Sequence, residues 1–288
     1  MYDLRKGQFV HDAGNELTDL SYWEVNYSTP LPSPETQGRK WKPAWLRAAS
    51  QESTLAQHIF WNLLLPRFVQ KPPGSTVLEV GSAPGRNLIE FYNRFRYVPF
   101  GIEYSAAGAE INRALFVKHG LDAKAVIHAD LFDDRALAKY HQRFDIVYSG
   151  GLIEHFQDPR PAIERHVSLL APSGILIVTI PNLRGLNWLL CRASCPDRLI
   201  THNIGIMNHR YWSDLFREKG LTQLLSGYYG MLDLGLIDGP HSNLGQFFLR
   251  TARTGNFLLN AAFRRLPSAL RLESRWTSPN LIYIGRKV

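Results

Sequence analysis

Leu78-Glu79-Val80-Gly81-Ser82-Ala83-Pro84-Gly85 is the stretch on which the fold turns. The apolar run Val77 to Val80 reads as a buried strand, and beyond the glycines the residues near 86 to 95 read as a helix. A strand, a glycine-rich turn and a helix N-terminus in that order put backbone N–H groups at the carboxyl edge of a sheet, which is the geometry of a nucleotide-type site. Gly81 lets the chain turn sharply, and Gly85 lets a ligand come close to the backbone. A dinucleotide fingerprint asks for glycine at 81, 83 and 86; the chain has Ala83 and Arg86 there, which weakens a pyrophosphate reading.

The same alternation continues outward. Val98 to Ile102, Ala125 to His128, Phe144 to Tyr148 and Ile175 to Ile180 read as strands, with helical stretches near 105 to 119, 133 to 140 and 158 to 170 between them. Strand-helix alternation at this spacing predicts an α/β fold: a doubly wound, mostly parallel sheet covered on both faces. Past Pro181 the rhythm breaks, then resumes with a helix near 209 to 219 and a strand near 221 to 228, and Leu281 to Ile284 closes the sheet as its seventh strand. The roughly fifty residues between those last two strands exceed an ordinary connection and predict helices of their own or a functional cover. Upstream, the spacing of Leu55, Ile59, Phe60, Leu63 and Leu64 predicts an amphipathic helix over 53 to 68, stopped by Lys71-Pro72-Pro73-Gly74. Residues 1 to 50 mix Tyr22, Trp23, Tyr27, Trp41 and Trp45 with Pro30, Pro32, Pro34 and Pro43, and read as an irregular arm without long helices.

Two acids mark the ends of the next strands. Glu103 lies 22 positions after Gly81, where a carboxylate can accept both hydroxyl protons of a ribose. Asp130 can accept from an exocyclic amine while Leu131 offers its backbone N–H to a ring nitrogen. With Glu79, three acids at three strand ends suit an adenosine carrying a cationic sulfonium better than one carrying phosphates, although any one of them alone reads equally well as a helix cap.

Glu79-x-Gly81-x-x-x-Gly85, Glu103, Asp130-Leu131 and Phe144-Asp145-Ile146-Val147 followed by Glu154-His155-Phe156 resemble, in order, the motifs of class I S-adenosylmethionine-dependent methyltransferases over about residues 75 to 180. Within that class, Glu154-His155 followed by Asp158-Pro159 is similar to the small-molecule branch that includes ubiquinone-biosynthesis O-methyltransferases. The resemblance implies S-adenosyl-L-methionine as cofactor, with Glu79, Gly81, Ser82, Ala83 and Gly85 at its methionine end, Glu103 and Tyr104 at the ribose, Asp130 and Leu131 at the adenine, and Ser149 and Gly150 bordering the sulfonium. It also implies that Tyr22 and Trp23 close over the cofactor, where an aromatic face favours a cation. Ala83 departs from the commoner glycine and leaves the loop's fine geometry open. The domain division expected is an arm and helix over 1–70 covering the cofactor, a cofactor-binding core over 71–182, and lid and substrate segments with the closing strands over 183–288.

Transfer of a methyl group from a sulfonium is an in-line displacement, so the chain must align donor and acceptor and remove a proton. His155 is the leading candidate base, with Glu154 orienting it or capping the next helix; the alternative is that His155 only packs at the strand edge. His202 and His209 are rivals on the lid. No grouped carboxylates follow the fourth strand, so no metal is expected. The acceptor expected is a small molecule, O-methylated in a biosynthetic pathway. The alternatives are an RNA or other nucleic-acid methyltransferase and a catalytically silent cofactor-binding module.

Charge separates these readings only in part. Of the net +8, eight Arg or Lys against the single Glu273 fall between Arg250 and Val288. A basic tail attracts nucleic acid, an anionic substrate or a membrane surface alike. Against nucleic acid, the place after the fourth strand reads Ser149-Gly150-Gly151-Leu152 and lacks the Asn/Asp-Pro-Pro-aromatic signature of base-amine methylation. Residues 255–272 form a basic amphipathic stretch broken by Pro267, suited to a membrane surface, to a lipid-like acceptor or to packing on its own domain. Cys191 and Cys195 read as ordinary side chains of a reducing compartment, and the absence of a long apolar run predicts a cytoplasmic protein.

Overall fold

The computed structural model describes residues 15–28, 54–231 and 273–288, together with residues 2–3, 8–9, 255 and 262–264. Most of the 255–272 stretch, and Trp41, Trp45 and the prolines of the arm, lie outside the described residues.

Seven strands form one sheet: β1 (Thr76–Val80), β2 (Val98–Glu103), β3 (Val126–His128), β4 (Phe144–Gly150), β5 (Leu170–Pro181), β6 (Leu221–Tyr229) and β7 (Asn280–Lys287). Their spatial order is β3-β2-β1-β4-β5-β7-β6. The first five are parallel, and β7 runs antiparallel between β5 and β6. The order reverses between β1 and β4, so the crevice outside the carboxyl ends of these two strands is where such a sheet takes its ligand.

Both faces of the sheet are buried, as the near-continuous apolar strands require. Alternate residues divide between two cores. Leu78, Val147, Leu176, Val178, Leu281 and Tyr283 face one core with Ile163, Trp212 and Phe216. Val77, Ile146, Ile175, Ile177, Ile282 and Ile284 face the other with Leu55, Leu88, Phe91 and Phe116. The helices around the sheet are α1 (Leu20–Ser28), α2 (three contiguous segments: Leu55–Ile59, a π-wound Phe60–Leu64 and Leu65–Phe68), α3 (Arg86–Phe95), α4 (Ala106–Lys118), α5 (Asp134–Leu137), α6 (Arg160–Leu169), α7 (Leu186–Ser194), α8 (Pro196–Ile200) and α9 (His209–Arg217). Caps set the starts of several: Ser105 accepts from Gly108 N–H, Asp133 from Arg135 and Ala136, and Asn208 from Arg210.

One expectation needs correction. The arm is not wholly irregular: the nine residues of α1 are helical because the prolines begin only at Pro30, and Asp19 accepts from Tyr22 N–H at 3.0 Å at its start. Beyond Pro181, the Leu- and Trp-rich stretch folds into α7 and α8. No helix among the described residues is long and apolar enough to cross a membrane.

Candidate active site

A cavity of about 240 Å³ opens at the switch point between β1 and β4. Its floor is the glycine turn. Gly81, at φ +71°, adopts a left-handed conformation that a side chain disfavours, and its N–H is held by Ile102 O at 2.9 Å. Ala83, Glu103, Tyr104, Asp130, Leu131 and Gly150 line the walls, as the sequence places them. Glu103 is held on two sides: Oε2 accepts from Ala83 N–H at 2.8 Å and Oε1 from Ser105 N–H at 3.0 Å. Each carboxylate oxygen keeps a second lone pair for a ligand hydroxyl. Asp130 Oδ1 accepts from Phe132 N–H at 2.8 Å, which fixes the carboxylate at the end of β3.

Other residues expected to hold the cofactor stand behind this wall. Ser82 turns its hydroxyl to Asn112 Nδ2 at 2.7 Å, and Gly85, at φ +92°, leaves room for that same Asn112, whose Oδ1 a Cβ would meet at 2.1 Å. Gly85 thus serves the packing of α4 under the loop rather than ligand approach. Glu79 accepts from Asn87 Nδ2 at 2.7 Å and leaves Oε2 buried without a partner; burial pushes its carboxyl up to about 8. Ser149 is fully buried in β4.

The arm supplies the cavity's outer side. Residues 15 to 17 pair with the segment after β4: Leu17 N–H donates to His155 O and Gln157 N–H to Asn15 O, both at 2.7 Å. This anchors α1 over the cavity, where Trp23 and Tyr27 line it with Glu16 and Thr18. Tyr27 donates its hydroxyl to Ala83 O at 3.3 Å, and Glu24 caps α4 by accepting from Ala106 N–H at 2.7 Å. Tyr27 was not among the site residues expected from the sequence. The four-residue step from Trp23 to Tyr27, which puts both rings on one helix face, was the available signal. Tyr22 lies outside this cavity, edge-on to Trp23 with ring centroids 5.1 Å apart.

A second cavity of about 420 Å³ adjoins the first, and Trp23, Gly150, Gly151 and His155 line both. Glycine is required at 150, because a Cβ there would meet Tyr148 Oη at 2.3 Å. Tyr22, Glu154, Thr179, Arg198 and His202 line only the second cavity. Asn203 brings His202 in from the lid. Its N–H donates to Glu154 O at 2.6 Å, and its side-chain amide to Phe156 O at 3.0 Å and Gln157 O at 2.8 Å. The rings of His155 and His202 then lie 4.5 Å apart. His209 lines neither cavity; it stands edge-on to Tyr228 at 5.5 Å.

The expected pairing of Glu154 with His155 does not form. Glu154 Oε2 and His155 Nδ1 are both buried and without a hydrogen-bond partner. Burial pushes the Glu154 carboxyl up to about 8 and, with the nearby His202, holds the His155 imidazole down at about 3. His155 is therefore neutral at working pH and a weak base, held against Trp23 with ring centroids 5.0 Å apart.

The lining of the first cavity suits an adenosyl sulfonium. Glu16, Glu103 and Asp130 are among its described lining residues, Trp23 and Tyr27 present aromatic surface, and among the described residues neither lysine nor arginine lines it. That composition attracts a cation through carboxylates and aromatic faces and offers a pyrophosphate no side-chain countercharge.

Comparisons with known proteins agree. The family model described as "Methyltransferase domain" matches residues 54–227, more than half of the chain. Geranyl diphosphate C-methyltransferase from Streptomyces coelicolor A3(2), solved with Mg²⁺, geranyl diphosphate and S-adenosyl-L-homocysteine, is similar with a TM-score of 0.57 at 12% identity, over 93% of this chain and 98% of that one. MccD protein is similar with a TM-score of 0.56 at 16% identity, over 82% and 100%. The [4+2]-cyclase SpnF is similar with a TM-score of 0.53 at 17% identity, over 81% of each chain. No curated protein matches the chain significantly. From the matched domain, the seven-stranded sheet and the acid-lined cavity at its switch point, the chain belongs to the methyltransferase-domain family, enzymes of the class I fold whose methyl donor is S-adenosyl-L-methionine.

Proposed function

We propose that the protein methylates an oxygen atom of a small-molecule acceptor held in the second cavity. The observation that carries this reading is the common wall of the two cavities, formed by Trp23, Gly150, Gly151 and His155. A volume of about 420 Å³ suits a small acceptor, within the roughly 300 to 1,000 Å³ usual for ligand pockets. S-adenosylmethionine, when bound, supplies an activated methyl group on a sulfonium. Glu103 and Asp130 orient the donor by accepting hydrogen bonds, and Trp23 and Tyr27 cover it and exclude water. Gly150 and Gly151 put no side chain between donor and acceptor, so the two can approach for in-line transfer, an alignment effect of roughly 7 to 11 kcal/mol. His155, neutral beside both cavities, is placed to hydrogen-bond an acceptor hydroxyl. The ubiquinone-like branch of the resemblance agrees with this reading through Glu154-His155 and Asp158-Pro159.

The test is incubation of the full chain with S-adenosylmethionine and separate panels of phenols, hydroxy acids, sugars and short RNAs. S-adenosylhomocysteine should appear together with a one-methyl mass gain on a hydroxylated small molecule. Methylation of RNA alone, or of nitrogen or carbon in the small acceptors, would overturn the oxygen-directed reading.

A further inference from the structure

We infer that Glu154, His155 and His202 form a binding site for one divalent cation of the borderline class, Zn²⁺ or Mn²⁺, on the wall of the acceptor cavity. This departs from the sequence expectation of no metal, which rested on the lack of grouped carboxylates. The structure adds the missing ligand from a distance: His202 lies 47 residues after His155 and arrives through the Asn203 hydrogen bonds to Glu154, Phe156 and Gln157. One ligand atom from each of the three side chains lies within 4.8 Å of the others. Atoms sharing an ion at about 2.1 Å sit roughly 3 to 4 Å apart, so small side-chain rotations close the shell.

A second observation points to the same occupant. Glu154 is 1% exposed and His155 6% exposed, yet Glu154 Oε2 and His155 Nδ1 have no partner. Unsatisfied buried polar atoms are costly, and two of them in one cluster call for a group that accepts electron pairs from both. A cation does this for a carboxylate oxygen and an imidazole nitrogen at once. Two imidazoles and one carboxylate favour Zn²⁺ or Mn²⁺ over Ca²⁺, which prefers oxygen ligands throughout. Three protein ligands leave coordination positions open, as in catalytic rather than structural sites.

All three side chains line the second cavity, so the open positions face the acceptor. Arg198 lines it too and opposes a second cation. An acceptor bearing an anionic or readily ionised oxygen satisfies both charges. The ion's role toward the acceptor rests on the methyl-transfer reading above, whereas its binding does not.

The experiment is calorimetric titration of chelator-stripped full-length protein with zinc chloride, manganese chloride and, for contrast, calcium chloride. Element analysis of the protein as purified, and S-adenosylhomocysteine binding on the same samples, accompany it. The expected result is one Zn²⁺ or Mn²⁺ per chain, with affinity falling at least about tenfold in His202→Ala and in Glu154→Gln while S-adenosylhomocysteine still binds. His202 is only half-buried, so His202→Ala decides the matter if Glu154→Gln fails to fold. No stoichiometric metal in the wild type, or unchanged affinity in His202→Ala, overturns the site. Loss of S-adenosylhomocysteine binding with metal binding intact would count against the donor cavity instead.

Discussion

Glu103 shows how much one carboxylate does at the donor end. It joins the glycine turn to the start of α4 through Ala83 and Ser105 N–H, and it lines the cavity. Glu103→Ala is expected to weaken S-adenosylhomocysteine binding roughly 10- to 100-fold, the loss of a charge-assisted hydrogen bond of about 1.5 to 3 kcal/mol. Calorimetry reads this directly, and unchanged affinity would remove Glu103 from the site. His166 gives a prediction about stability. Its Nδ1 donates to Ala162 O at 2.6 Å while Nε2 lies buried without a partner, and burial holds the imidazole down at about 4. Below the unfolded value of about 6.5, the unfolded chain binds a proton that the folded chain refuses, so stability falls as pH drops from 6.5 toward 4. The loss is about 2 kcal/mol by pH 5, and a His166→Leu variant should lack that component in urea titrations at pH 7 and pH 5. Equal pH dependence of the two proteins would show that His166 is not protected. Glu103 was legible in the sequence because it ends an apolar strand. The exclusion of water around His166 was not, because it depends on neighbours far along the chain.

At the scale of elements, local pattern located what lies in the sheet and missed what docks across it. Strands and helices from β1 to α6 follow hydrophobic spacing, and the glycine turn follows from the break in that spacing. Helix α1 carries only the Trp23–Tyr27 step, and none of its residues is buried. It is placed by Glu24 on the N-terminus of α4 and by the pairing of Asn15 and Leu17 with the segment after β4. Trp23→Ala is therefore expected to leave the fold intact, since the side chain is only half-buried, and to weaken donor binding about tenfold through loss of an aromatic face and cover. The gain in off-rate, measured by stopped-flow displacement of S-adenosylhomocysteine, should carry most of the change. An unaltered off-rate would mean that α1 covers something other than the donor. His202 and His209 show the same limit on the lid. Both stood as candidates by residue type alone, and the Asn203 hydrogen bonds bring only His202 to His155.

For the whole molecule, strand order determines where chemistry takes place: the reversal between β1 and β4 opens the crevice, and α1 and the lid divide it into two cavities with a common wall. Fold alone does not name the acceptor, as the likeness to both a C-methyltransferase and a cyclase shows. The acceptor has to be argued from this chain's own site, the acid-lined first cavity and the Glu154, His155 and His202 group beside the second. Titration of the purified protein with S-adenosylmethionine, S-adenosylhomocysteine and NAD by calorimetry tests the donor site most directly. Binding of both adenosyl compounds at micromolar concentrations, with none for NAD, is the predicted result; binding of NAD with no affinity for either adenosyl compound would contradict it.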